Sequence, residues 1–363
     1  MKRVCRNVNF AIALIALVLI VASVTSMSSA QQAPFFREDL RPFGFLTNGS
    51  FIGSYTDISF LSNDLLLVTV NQLDFHGARI ATYPLGDQPP SKVLLFSVSQ
   101  KALLRSKDMP VEKAENSVRA IAGEKFVLLD QSGLRICTSD LECGSLVSTT
   151  GPVLVSPGRT RLAVGGNISS DQLLLDAASL RVLEHFPPKD QLIVAPGDNG
   201  LLVRQRGKVY LRLVGQPDRQ LSFACCAFQP PVSFLNDTTI AGFESNKAFA
   251  VEKTDGTVLF RIPLRASGSG DVEVQPAPAG ARFCLQEMGW TRWNSAANLG
   301  FDEGRDFNSE TVEVLSADSG KVLFELHGNP RPYIGHLTTP ALAPNGRRLA
   351  LIHHGFLEVY EIP

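Results

Sequence analysis

The sequence predicts an all-β chain folded as a seven-bladed β-propeller, its ring closed by pairing of N- and C-terminal strands. Three observations carry that reading. One turn chemistry recurs along the chain, a second hairpin recurs later in the repeating unit, and the last unit stops one strand short while a stretch near the N-terminus is left over.

The first turn is clearest at the C-terminal end, where Leu337 to Ile362 reads strand, Pro344-Asn345-Gly346 turn, strand, short turn, strand. Proline fixes φ and glycine supplies a positive φ, so the flanking runs of β-formers are forced to reverse there. Val153–Val164 repeats the unit around Pro157-Gly158, Leu192–Val203 around Pro196-Gly197, and Val274–Leu285 around Pro278. The second hairpin is Val312–Leu326 around Asp318-Ser319-Gly320, matched by Ala248–Ile262 around Asp255-Gly256. These read as the outer two strands of a four-stranded blade.

Laid end to end, the units fall at 56–106, 117–148, 151–186, 190–223, 231–263, 271–328 and 337–363, numbered here as blades 1 to 7. The segment 31–55 precedes them, and within it Phe43–Ile52 is the expected closing strand, hydrogen-bonded to the last blade. A two-domain or open-sandwich chain is the alternative, and it leaves the even spacing unexplained.

The turns Ser156-Pro157-Gly158 and Ala343-Pro344-Asn345-Gly346, with the hairpin Asp318-Ser319-Gly320-Lys321, resemble the repeats of bacterial WD40-like and YVTN-type propellers. The chain departs from true WD40 repeats in lacking the Gly-His and Trp-Asp pairs. The resemblance implies the fold. It leaves the activity open, because such propellers include scaffolds, receptors, lactonases and other hydrolases.

Residues 1–30 have the three parts of a secretory signal peptide: Lys2, Arg3 and Arg6, an apolar run from Phe10 to Val24, then small residues ending in Ser28 and Ala30. A spanning helix needs about 20 apolar residues, so cleavage after Ala30 is expected, with an uncleaved anchor as the alternative. A secreted or periplasmic location follows, with no membrane association once the signal is removed. Removing those three cations leaves 31 Lys and Arg against 35 Asp and Glu, a formal charge of −4 with no basic cluster, which excludes nucleic acid as the expected partner.

Five cysteines remain after residue 30. Cys137 and Cys143 flank the expected outer hairpin of blade 2, where facing Cβ atoms suit a disulfide. Cys225, Cys226 and Cys284 fit a vicinal bridge, a bridge to Cys284, or buried thiols, and spacing does not choose. No Cys/His spacing suits zinc or haem, so no metal or cofactor is expected.

No catalytic motif is complete. Gly268-Ser269-Gly270 lacks the five-residue nucleophile elbow, and neither a phosphate-binding loop nor His-Glu-x-x-His occurs. The departures from regularity are two long connections, Asn71–Lys92 with His76 and Arg79, and Met288–Ser309 with Trp290, Arg292, Trp293, Asp302 and Asp306. Both should rise on one face, flanking the short link His353-His354-Gly355 of blade 7. Long loops in compact domains are disproportionately functional, and Trp with Arg anchors partners. The plainer alternatives are that Trp290 and Trp293 cover a blade edge and that His353-His354 is only a turn.

The expected function is therefore an exported, non-catalytic binding protein that engages a protein, peptide or glycan through the face of blades 6, 7 and 1. Its binding residues would be Trp290, Arg292, Trp293, His76, Arg79, His353 and His354. The alternative is a lactonase-like or other small-molecule hydrolase at the channel mouth, using His76, Asp302, Asp306 and His353.

Overall fold

The computed structural model describes residues 32–45, 52–74, 90–111, 117–165, 171–187, 192–223, 232–245, 248–265, 271–292, 305–328, 340–353 and 355–363, with backbone alone at 52–55, 71–74, 271, 288–292 and 305–309. Residues 1–30, read above as a signal peptide, and the cysteines Cys225 and Cys226 lie outside the described residues. Pro34–Pro363 forms one compact unit.

Seven antiparallel sheets follow one another, each running from an inner to an outer strand. Blade 1 has a split inner strand, Ile52–Tyr55 and Ile58–Phe60, then Leu65–Asp74, Ser91–Ser97 and Ala102–Met109. Blade 2 comprises Val118–Ile121, Lys125–Asp130, Gly133–Thr138 and Cys143–Val147, and blade 3 Val153–Val155, Arg161–Gly165, Gln172–Asp176 and Val182–Phe186. Blade 4 is built from Leu192–Pro196, Gly200–Gln205, Lys208–Leu213 and Arg219–Gln220, and blade 5 from Ser233–Asn236, Thr239–Ser245, Ala248–Lys253 and Val258–Pro263. In blade 6 the strands are Asp271–Pro276, Arg282–Arg292, Arg305–Ser316 and Val322–Gly328. Blade 7 has Ala341–Leu342, Arg348–His353 and Phe356–Glu361, and takes its outer strand, Phe36–Asp39, from the N-terminal segment.

Successive side chains of a strand point to opposite faces, and here both faces are apolar. In blade 7, Leu349 and Leu351 enter the cluster shared with blade 6, while Ala350 and Ile352 enter the cluster shared with blade 1. Seven such clusters fill the seven junctions between blades, so the core is a ring of contacts between neighbouring sheets.

Closure differs in place from expectation. The closing strand is Phe36–Asp39, paired antiparallel with Phe356–Val359, rather than Phe43–Ile52. The cause is the aromatic anchor: Phe36 is buried at the junction of blades 7 and 1, with its ring centroid 5.9 Å from that of Phe96. Arg41–Phe43 then forms a single 3-10 turn ended by Gly44 at φ 99°, a value that favours glycine. Ile52–Tyr55 pairs with Asn71–Asp74 of blade 1 instead.

The expected Cys137–Cys143 disulfide is present, bridging directly paired positions in blade 2. Cys284 is a free thiol buried between blades 6 and 7, so it bridges neither Cys225 nor Cys226. Burial pushes its thiol well up, away from reactive thiolate.

The repeated proline turns are the links from inner to second strand, and they define the lower face. In blades 3, 6 and 7 the fourth turn residue donates its N–H to the first: Arg159 to Ser156, Gly280 to Ala277, Gly346 to Ala343. That fourth position is left-handed in all three, with φ of 62°, 72° and 67°. Glycine accepts this conformation freely, and Arg159 holds it at a cost in backbone energy. The upper face carries the links between second and third strands and those between blades.

Candidate functional site

On the upper face the described parts of the two expected insertions continue the strands of their blades. The second strand of blade 6 is 11 residues and its third 12, and the second strand of blade 1 is 10, against 5 to 7 for the second strands of the other blades. At 3.3 Å per residue, five additional residues carry the blade 6 hairpin roughly 16 Å further. Pairing holds out to Arg292 opposite Arg305, with a register shift between Gly289 and Trp290. Much of what the sequence reads as a connection from Met288 to Ser309 is thus paired strand, because Met-Gly-Trp-Thr-Arg and Arg-Asp-Phe-Asn-Ser keep hydrogen-bonding across the hairpin.

Trp290 and Arg292 therefore stand on the extension of blade 6, Trp290 opposite Phe307. Trp293, His76, Arg79, Asp302 and His354 lie outside the described residues. His353 ends the second strand of blade 7 and is paired with Phe356. Its Nδ1 is 3.9 Å from Glu358 Oε2. Glu358 in turn accepts the Tyr360 hydroxyl at 2.7 Å and pairs with Arg37 Nε at 3.2 Å, and burial with the Glu358 bond keeps the Tyr360 hydroxyl protonated. Blade 7 thus presents an internally satisfied polar group at the site's centre.

The flanking blades do not. Among the described residues, four buried side-chain polar atoms lack a hydrogen-bond partner: Thr56 Oγ1, Ser91 Oγ, Gln286 Oε1 and Arg219 Nε. Three of these sit where the long strands leave the regular sheet. Thr56 follows Tyr55, which pairs with Asn71, and Ser91 precedes Lys92, which pairs with Val70. Gln286 precedes the extension of blade 6, and its Nε2 donates to Glu310 Oε1 at 2.6 Å. Burial pushes the Glu310 carboxyl up to about 7. Buried polar atoms are normally paired, and three of these four unpaired ones lie at this one rim.

The lower face is the opposite. Asp198 accepts Ser156 Oγ at 2.6 Å, Gly158 N at 2.7 Å and Thr160 Oγ1, tying blade 4 to blade 3. Burial works to raise its carboxyl, but these bonds outweigh burial and hold it below the usual range. Asn345 N donates to Asn63 Oδ1, Ala279 N to Pro344 O, and Asn236 Nδ2 to Gly280 O, stitching further turns together. A shallow depression of about 460 Å³ lies here, lined by Pro157, Asp198, Asn236, Asp237 and Pro278. Asp198 and Asn236 spend their polar atoms on neighbouring turns, which makes the depression a braced floor more than a ligand cradle.

Solved structures resemble this chain. Hsv2 from Kluyveromyces marxianus matches over 84% of this chain and 90% of its own, with a TM-score of 0.51 at 10% identity. Hsv2 from Kluyveromyces lactis matches over 86% and 99%, with a TM-score of 0.48 at 10% identity. The chain is a seven-bladed propeller. At such identity the likeness shows fold alone. No family model and no curated protein matches the chain.

Among the described residues, no three His, Cys, Asp or Glu side chains are grouped to hold a metal. Neither Gln286 nor Glu310 is among the binding residues that the sequence predicts. The available signal was the break in apolar character after the buried Phe283-Cys284-Leu285, where Gln286-Glu287 enters the strand.

Proposed function

We propose that this protein is an exported, non-catalytic binding propeller, of the bacterial WD40-like kind, that engages a protein, peptide or glycan through the upper rim of blades 6, 7 and 1. The observation that carries the reading is the three elongated strands, two in blade 6 and one in blade 1, on either side of blade 7. A hairpin that outruns its blade extends past the sheets beside it, and segments held out from a rigid scaffold are where binding residues concentrate. Trp290, Arg292 and Trp293 on one side, His76 and Arg79 on the other, and His353 and His354 between them supply aromatic and cationic anchors.

A hydrolase at the channel mouth draws support from one group, Glu310, a carboxyl that holds its proton near neutrality. That carboxyl faces the crevice between blades 6 and 7, on the same side of its strand as Val312 and Val314, and its bonded neighbour is an amide. The binding reading therefore leads.

The test compares the wild-type chain with Trp290→Ala/Trp293→Ala and with a variant in which 288–309 is replaced by a two-residue turn. Both variants are expected to melt with the wild type and to lose ligands captured from the exported fraction of the host. Retention of the same ligands, or unfolding of the Trp variant, overturns the reading.

A further inference from the structure

The upper end of the crevice between blades 6 and 7 holds two polar groups that the ring itself leaves incomplete. Gln286 and Glu310 belong to the second and third strands of blade 6 and project on the same face as Cys284, Val312 and Val314. That face packs on Leu349, Leu351 and Tyr360 of blade 7, so the amide and the carboxyl cap an apolar junction. Gln286 is 1% exposed and Glu310 7%. The amide gives one N–H to the carboxyl at 2.6 Å, and among the described residues its carbonyl oxygen receives nothing. Turning the amide over moves the vacancy from oxygen to nitrogen and does not remove it.

Among the described residues Glu310 has no counter-charge. Its hydrogen-bond partner is a neutral amide, and among the described residues no Lys, Arg or His side chain pairs with it. Across the crevice, the strands of blade 7 that bring Leu349, Leu351 and Tyr360 to this junction also carry His353 and Glu358, with Arg37 paired beside Glu358. The Arg37 cation and the Tyr360 hydroxyl are committed to Glu358, and His353 also lies towards that carboxylate. On its own blade, Cys284 is a neutral thiol, the Glu273 carboxylate stands directly opposite Gln286, and Gly328 lies directly opposite Glu310. A Cβ at Gly328 would run into Glu310 Oε2, so glycine is what leaves the carboxyl its place.

We propose that Gln286 and Glu310 form a niche between blades 6 and 7 that receives a primary ammonium group. This inference rests on the reading of the upper rim as the binding face and gives that face a ligand chemistry. An ammonium carries three N–H donors on a compact cation: one reaches the carboxylate, one the vacant amide oxygen, and its charge offsets the one that burial leaves unbalanced. A sugar hydroxyl offers a single donor and no charge, and an anion meets only acceptors. Because the carboxyl must ionise to hold the cation, binding near neutrality releases a proton.

The probes are 1,5-diaminopentane, a blocked Gly-Lys-Gly peptide and 1,5-pentanediol, titrated calorimetrically into the full chain in buffers of different ionisation enthalpy. Either amine is expected to bind about ten-fold more tightly at about pH 8 than at about pH 6, with proton release, and the diol not to bind. Glu310→Gln, Gln286→Leu and Gly328→Ala are each expected to weaken binding about ten-fold or more, with Glu310→Gln also flattening the pH profile. Tighter binding of the peptide assigns the ammonium to a lysine of a partner chain, and tighter binding of the diamine to a small amine. Binding of neither amine, equal binding of the diol, or full binding by Glu310→Gln overturns the niche. Amine binding that survives replacement of 288–309 while captured ligands persist upholds the niche and refutes the hairpin. Loss of captured ligands from that variant with no amine binding by the wild type does the reverse.

Discussion

The lower turns of blades 3 and 4 and the upper strands of blade 6 each hold a part-buried or buried carboxyl, and they treat it in opposite ways. Asp198 is surrounded by donors and held below its ordinary range, whereas Glu310 has one amide and is raised to about 7. The first is a finished structural joint. The second is polar machinery that the fold does not complete. The contrast teaches where this propeller spends its buried polar groups on its own assembly and where it keeps them for something else.

The largest expected effect is on the finished side. Asp198→Ala strands Ser156, which is 2% exposed, and frees Gly158 N, so a loss of about 3 kcal/mol is expected in denaturant unfolding at neutral pH. The stability that Asp198 contributes is present above its unfolded value of 3.8 and fades as pH falls through the lower folded value. The gap between mutant and wild type should therefore narrow in acid, and a gap constant with pH would contradict the role given to the carboxylate.

Glu310→Gln should behave with the opposite sign. The folded carboxyl, raised from 4.5 to about 7, favours folding fully below the unfolded value and loses that contribution as pH climbs through 7. The mutant is expected to gain on the wild type by about 2 kcal/mol at about pH 8 and by little at about pH 5, read from paired unfolding curves. A mutant less stable than wild type at the higher pH would mean that Glu310 has a structural cation.

The smallest expected effect tests the turn chemistry. Arg159 occupies the left-handed position that glycine fills in blades 6 and 7, and burial lowers its guanidinium to about 10. Its one side-chain bond, to Leu61 O, is long at 3.4 Å. Arg159→Gly should raise stability by up to about 1 kcal/mol, and a loss would show that this bond across the lower face outweighs the strain.

The ring was legible in the sequence because turns and strand alternation are local: Pro344, Gly346 and the hairpin at Gly320 announce their geometry within a few residues. The outer disulfide was legible for the same reason, Cys137 and Cys143 being hairpin neighbours. The closing strand was misplaced because its determinant is distant: Phe36 is fixed by Phe96, in another blade, and not by its own neighbours. The extension of blade 6 was read as loop because Gly289 and the bulge beside Trp290 interrupt strict alternation. The niche was least legible of all. Gln286 and Glu310 are 24 positions apart, and the vacancy at Gln286 Oε1 exists only once the strands pair.

The most direct test of the upper rim as the functional face is a single capture experiment with three proteins: the wild type, the chain with 288–309 replaced by a turn, and Asp198→Asn on the opposite face. The shortened chain is expected to lose the ligands that the wild type retains, and Asp198→Asn to keep them. Loss in Asp198→Asn with retention in the shortened chain would move the binding face to the turns of blades 3 to 6 and contradict it.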